Sequence, residues 1–311
     1  MLRLRYMHTW GRFVYERSFM SVKKFTTIQE QIEILKSRGL SIPDEQKASD
    51  FLTRNNYYRV SGYSLTLRKN DVFDKNAAFE NIMDIYECDH ELRHILLKHL
   101  EAIEISVKSA YSYEFARTYG PTGYLNSANF TDQKKYTVIM EKAESQKKAR
   151  LPHEAYLKHF VRDLKQDIPI WAFTDLLTIS DISFLYKISQ KDIKIAVAKT
   201  MGLNVQGDRL LEKFMHSMTI IRNLCAHGSR LYNRLFEQKP RLSNKDKALL
   251  IKKADGTLDN AHLYGFILIM RQLLTPDEFK ALKEELVILS EKYSFVNMEY
   301  YGFRNDWKSI L

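Results

Sequence analysis

The sequence predicts an all-helical protein, a helical bundle carrying an N-terminal appendage, and three observations carry that prediction. Glycine and proline are scarce, 11 and 6 in 311 residues, too few for the many tight turns of an all-β chain. Apolar residues recur at helical spacing over long stretches, most clearly from about Phe79 to Tyr119. Hydrophobic residues make up 45% of the chain, enough to bury a real core.

The elements follow in order. Residues 1–19 are basic and aromatic without an uninterrupted apolar stretch, a poor signal peptide. They are expected to be an upstream extension, since the more orderly sequence starts after Met20. Thr27-x-x-Glu30 has the form of a capping box, and the helix it opens runs from Ile28 to about Arg38 and stops at Gly39. Pro43 is expected to open the next helix, ending near Asn55. Asn55 to Leu67 is aromatic and β-branched, is interrupted by Gly62, and reads as a loop or short extended piece across the helices.

The long helix from Phe79 ends at Gly120-Pro121. Leu92, Ile95, Leu96, Ile103, Val107 and Ala110 fall on one face, with His90, His94, Glu101 and Glu104 opposite. Residues 131–150 are Lys-rich and read as a solvated helix or mobile excursion. Pro169-Ile170-Trp171 starts a new apolar helix, and Ser180-Asp181 is expected to cap the next. Asp208 to about Ala226 is amphipathic, with Leu210, Leu211, Phe214, Met218 and Ile221 inward. Two further helices are expected over Asn260–Leu274 and Pro276–Tyr293. Repeats and clear linkers are absent from the sequence, so residues 77–311 are expected to form one bundle and residues 20–76 an N-terminal segment.

Composition also bears on function. The formal net charge of +10 makes polyanions, RNA above all, candidate partners. Two cysteines, Cys88 and Cys225, suit free thiols in a reducing cytoplasm. No apolar run reaches the length of a membrane span, and no cofactor is expected.

One segment carries candidate chemistry: Arg222-Asn223-Leu224-Cys225-Ala226-His227. Metal-free RNA cleavage must deprotonate a 2′-hydroxyl, protonate the leaving 5′-oxygen and stabilise charge on phosphate. Histidine suits the proton transfers and the planar fork of arginine suits the phosphate. His227 precedes Gly228 and so falls in the last turn of its helix, where the dipole favours imidazolium. Arg222, Arg230 and Arg234 supply cations nearby, and Asn223, four residues before His227, shares its face. One histidine per chain is too few for an acid–base pair, so a second copy is expected to face it across a symmetric dimer.

A competing signal is His90-Glu91-Leu92-Arg93-His94, which matches the zinc-protease pattern of two histidines and a glutamate. A third ligand at a fixed spacing is missing, and Arg93 and Lys98 lie close by.

Several blocks together resemble the Abi family of bacterial abortive-infection proteins. The resemblance runs from about Phe25 to Pro240. It begins with Thr26 to Leu40 and continues with Asn56-Tyr57-Tyr58-Arg59-Val60-Ser61-Gly62-Tyr63. Next come Ile85 to Asp89 with Leu92-Arg93, then Glu101 to Ser106 and Pro169-Ile170-Trp171. It ends with Arg222 to His227, followed by Arg230-Leu231-Tyr232-Asn233-Arg234. Lys108 replaces an expected arginine, Asp175 an expected glutamate, and Ile179-Ser180 a Phe-Gly pair. The resemblance implies a branch of the HEPN superfamily, helical bundles that dimerise and cleave RNA without metal, here as a phage-triggered toxin. In that reading Arg222 holds phosphate, Asn223 orients, His227 is the general acid or base, and the products are a 2′,3′-cyclic phosphate and a 5′-hydroxyl. Arg230, Tyr232, Asn233, Arg234, Tyr58, Arg59, Tyr63 and Arg93 are the expected RNA contacts, through stacking and phosphate binding. The tyrosines of the 56–63 block have a second reading, as a lock of the N-terminal segment onto the bundle. The rival functions are a non-catalytic RNA-binding or toxin-partner module and, third, a zinc metallopeptidase.

Overall fold

The computed structural model describes residues 24–311; the expectation for residues 1–19 lies outside them. Over the described residues the fold is all-α, as predicted, with almost no strand. Helix α1 (Ile28–Ser37) starts at the Thr27–Glu30 capping box and ends before Gly39, whose φ of +92° only glycine adopts freely. Helix α2 (Glu45–Asn55) is capped by Asp44, whose side chain accepts from Lys47 N. Pro43 therefore stands one residue before the cap and not in the first turn.

The segment predicted as extended is instead a helical turn, α3 (Tyr57–Ser61). Asn56, at φ +58°, turns the chain and accepts from Tyr58 N at 2.9 Å, so a side-chain cap overrides the β propensity of the tyrosines. A two-residue hairpin follows, β1 (Arg68–Lys69) against β2 (Val72–Phe73). Asn70 and Asp71 both have positive φ, as a turn of this tightness demands.

Helix α4 spans Phe79–Tyr119, the bounds expected from its apolar period and Gly120-Pro121. Leu92, Leu96, Ile103, Val107 and Ala110 are buried on it, and Ile95 is half-buried. The Lys-rich stretch forms α5 (Gln133–Arg150), capped by Asp132. A short α6 (Ala155–Lys158) and α7 (Ile170–Phe173) lead to α8 (Ile179–Ile188). Its cap is Thr178, with Asp181 at the third position completing a capping box, so Asp181 caps the helix from inside it. Then come α9 (Lys191–Thr200), α10 (Gly207–Ala226) and α11 (Asn244–Lys247).

Helix α12 (Tyr264–Leu273) begins four residues later than predicted. Asn260 and Ala261 are tied instead to the 236–240 loop, through Asn260 Nδ2 to Pro240 O and Phe236 N to Ala261 O. Helix α13 (Pro276–Lys292) and α14 (Trp307–Ile310) complete the chain.

The core surrounds α4, which packs against α7, α9, α10, α12 and α13. Every residue from Tyr264 to Met270 of α12 is buried, the signature of a helix enclosed on all sides. Helix α10 lies across α4, α8, α9 and α12. Its inward residues are Leu211, Phe214, Met218 and Ile221, with Leu210 half-buried. This packing sends the C-terminal end of α10 to the surface beside α4. No helix of the described residues is long and apolar enough to cross a membrane.

Candidate functional site

The last turn of α10 ends in a Schellman arrangement. Ser229 N donates to Leu224 O at 2.8 Å and Gly228 N to Cys225 O at 3.0 Å, while Gly228 takes a φ of +62°. His227 is thereby fixed as the C-cap residue, its N–H donating to Asn223 O. Asn223 and His227 are both exposed, and Arg222 is half-buried. The structure thus brings the three together at one surface turn, with the imidazole in solvent and not in the core.

Arg222 faces α4. Its Nε lies 3.9 Å from Glu104 Oε2, and Lys108 Nζ lies 2.9 Å from the other oxygen of the same carboxylate. Beside them is a cavity of about 780 Å³ between α4 and the α7 region, with Glu101, Tyr113, Trp171 and Asp175 also in its wall. Sequence reasoning missed this cavity. Trp171 and Asp175 are visible in the sequence as motif positions, but the apolar helix expected to start at Trp171 leaves its ring exposed.

The loop after His227 is held from below by Asp89. Its buried carboxylate accepts from Leu231 N and Tyr232 N, from Tyr63 Oη at 2.8 Å and Tyr301 Oη at 3.1 Å, and pairs with Arg93. Complete burial pushes the Asp89 carboxyl up, against the opposing pull of Arg93 and the hydrogen bonds. Tyr63, Tyr232 and Arg93 are all buried, which corrects the expectation that they contact RNA. Each spends its polar atoms inside: Tyr232 Oη bonds Thr66 Oγ1 at 2.8 Å, and Arg93 bonds Asp89 and Tyr63.

Arg59 is likewise a strap, donating from Nη2 to Gly228 O and from Nε to Tyr86 Oη. Arg230 turns back to the carbonyl of Tyr232, and Arg234 lies against the Phe236 ring. Asn233 is half-buried at φ +49°, its N–H donating to Tyr300 O. Of the tyrosines in the 56–63 block, Tyr58 is the one that projects, 87% exposed, while Tyr57 is half-buried and Tyr63 buried. Cys88 and Cys225 are free and buried, and burial pushes both thiols up to about 12.

The zinc pattern does not assemble. His90 and His94 stand on the surface with ring centroids 4.5 Å apart, but His94 Nδ1 is engaged with His90 O. Glu91 is taken by Lys292 Nζ at 2.6 Å and Tyr293 Oη at 2.8 Å. Among the described residues no three metal-ligating side chains converge.

These features define a helical-bundle protein that presents Arg, Asn and His on one exposed helix end. Residues 50–233 match the Abi-like protein family, and the chain belongs to it, which supports an abortive-infection role. No curated protein and no solved structure matches the chain.

Proposed function

We propose that the protein is a metal-independent endoribonuclease of the HEPN type, acting as an abortive-infection toxin. The observation that carries this reading is the joint placement of Arg222, Asn223 and His227 at the solvent-facing end of α10, with a cavity beside Arg222. His227 takes the proton of the 2′-hydroxyl. The 2′-oxygen attacks phosphorus, and the bond to the 5′-oxygen breaks. His227 of a second copy gives the leaving oxygen a proton. The products are a 2′,3′-cyclic phosphate and a 5′-hydroxyl.

Arg222 donates to the phosphate oxygens as charge builds on them, and Asn223 orients the imidazole or the substrate. The symmetric dimer this chemistry needs brings the exposed ends of two α10 helices face to face. Tyr58 and Arg234 extend the contact with RNA. The basic balance of the chain favours the polyanion.

The test is cleavage of RNA in EDTA by the wild type and by His227→Ala and Arg222→Ala. Cleavage that persists in EDTA and is lost in both variants is the expected result. RNA retention without cleavage, unchanged in His227→Ala, overturns the enzyme in favour of a binding module.

A further inference from the structure

We infer that the cavity beside Arg222 is a base pocket, which receives the nucleobase next to the cleaved phosphate and selects guanine. This deepens the ribonuclease reading and rests on it for the position of the phosphate. The cavity, about 780 Å³, lies in the size range of small-ligand sites and exceeds what one nucleotide needs. Trp171 and Tyr113 stand in its wall with more than half of their surface uncovered, an uncommon state for two large aromatic residues in one depression. Aromatic faces of this kind stack unpaired bases.

The charges of the lining choose the part of the nucleotide that enters. Lys98, Lys108 and Arg222 are matched by Glu101, Glu104 and Asp175, so the interior suits a neutral base and not the phosphate chain. The cations are also engaged: Lys98 pairs with Glu285 at 2.5 Å, and Lys108 with Glu104. Among the described residues the carboxylates of Glu101 and Asp175 accept no side-chain hydrogen bond and form no ion pair.

A carboxylate only accepts. Guanine presents N1–H and N2–H side by side and satisfies both oxygens of one carboxylate. Adenine and cytosine offer a donor beside an acceptor, and uracil offers one donor between two carbonyl oxygens, so each turns a lone pair toward the carboxylate. A second depression of about 580 Å³ shares Ile105, Ser109 and Tyr113 with the first and leads on to Thr200, giving the strand a path beyond the pocket.

The experiment uses the full chain and short 2′-O-methyl RNA oligonucleotides, which cannot form the cyclic phosphate, with G, A, C or U at one position in an otherwise fixed sequence. Affinity is read by fluorescence anisotropy. The expected result is at least tenfold tighter binding of G than of U. The double variant Glu101→Gln/Asp175→Asn should lose that preference, and Trp171→Ala should weaken all four alike. In parallel, cleavage sites of unmodified RNA are mapped and should lie beside guanine.

Equal affinity for the four bases overturns the inference, as does a preference that survives both carboxylate changes. So does a stable dimer in which Trp171 is covered and the oligonucleotides are excluded. Cleavage without base preference overturns the pocket alone. A guanine preference with no cleavage of any RNA keeps the pocket and removes the nuclease.

Discussion

Arg59 Nη2 donates to the carbonyl oxygen of Gly228 at 2.5 Å, joining positions 169 residues apart. The same guanidinium lies 5.4 Å from the centroid of the Tyr86 ring and donates to its hydroxyl. Through this contact the 56–63 block fixes the left-handed turn that ends α10 and holds His227. Arg59→Ala should therefore lower stability by about 1.5–3 kcal/mol, the range for hydrogen bonds to charged groups, and lower kcat. Arg59→Lys should restore part of it, because one ammonium cannot serve both acceptors with the geometry of a planar fork. Urea unfolding and cleavage kinetics read the two effects. A raised KM at unchanged stability would make Arg59 an RNA contact after all.

Tyr58 gives the complementary case. Its ring is 87% exposed, and its local hydrogen bonds are made by the backbone, the N–H donating to Asn56 Oδ1 and the carbonyl accepting from Ser61 Oγ, which an alanine preserves. Tyr58→Ala should leave stability within about 0.5 kcal/mol of wild type. A fall in affinity for single-stranded RNA, measured by filter retention, is expected if the ring stacks on a base; unchanged affinity removes Tyr58 from the RNA surface.

Asp89 is the buried anchor of the site loop. Asp89→Asn keeps the shape but leaves Arg93, 2% exposed, without a counter-charge. Breaking one half of a buried pair costs about 3–5 kcal/mol, so the variant should be strongly destabilised or insoluble. Asp89→Asn with Arg93→Met should recover much of the loss, because the unpaired charge is then gone. A double variant no better than the single one would place the defect in the amide contacts to Leu231 and Tyr232.

The contrast between Arg222 and Arg93 explains how much of this was legible in the sequence. The long helix could be read because its apolar period runs unbroken for ten turns and ends at Gly-Pro. The end of α10 could be read because Gly228 follows His227, and a glycine after a periodic stretch signals a left-handed stop. Burial of polar residues could not be read. Arg93, Tyr63 and Tyr232 carry groups that usually face water, and their burial depends on Asp89 meeting four donors from distant parts of the chain. The helix at Tyr57–Ser61 was missed for a related reason: the Asn56 cap, not the propensity of the tyrosines, decides it.

Asp181 supplies a dependence on pH. Its partial burial raises the carboxyl, but Lys142 Nζ at 2.7 Å and the hydroxyl and amide of Thr178 outweigh that and hold it below the usual range. A carboxyl depressed in the folded state contributes stability above its unfolded value, about 3.9, and the contribution is lost as pH falls through the lower folded value. Between pH 5 and pH 2 the stability of the wild type should therefore fall more steeply than that of Asp181→Asn, as thermal melts in a pH series would record. Parallel curves would show that the capping box contributes nothing through charge.

Glu104 separates binding from turnover. It is shared between Lys108 at 2.9 Å and Arg222 at 3.9 Å. The second distance is too long for a hydrogen bond, so the carboxylate biases the guanidinium toward α4 while leaving its donors available to a phosphate. Glu104→Gln removes a negative charge from the wall and leaves two cations facing the substrate. RNA should then be held more tightly, with a KM severalfold lower and a steeper loss of binding with salt. The arginine, however, is no longer aimed, and a misplaced phosphate ligand costs turnover, so kcat should fall about tenfold. Steady-state kinetics at two ionic strengths distinguish this from a structural defect, which would lower the melting temperature and leave KM and its salt dependence unmoved.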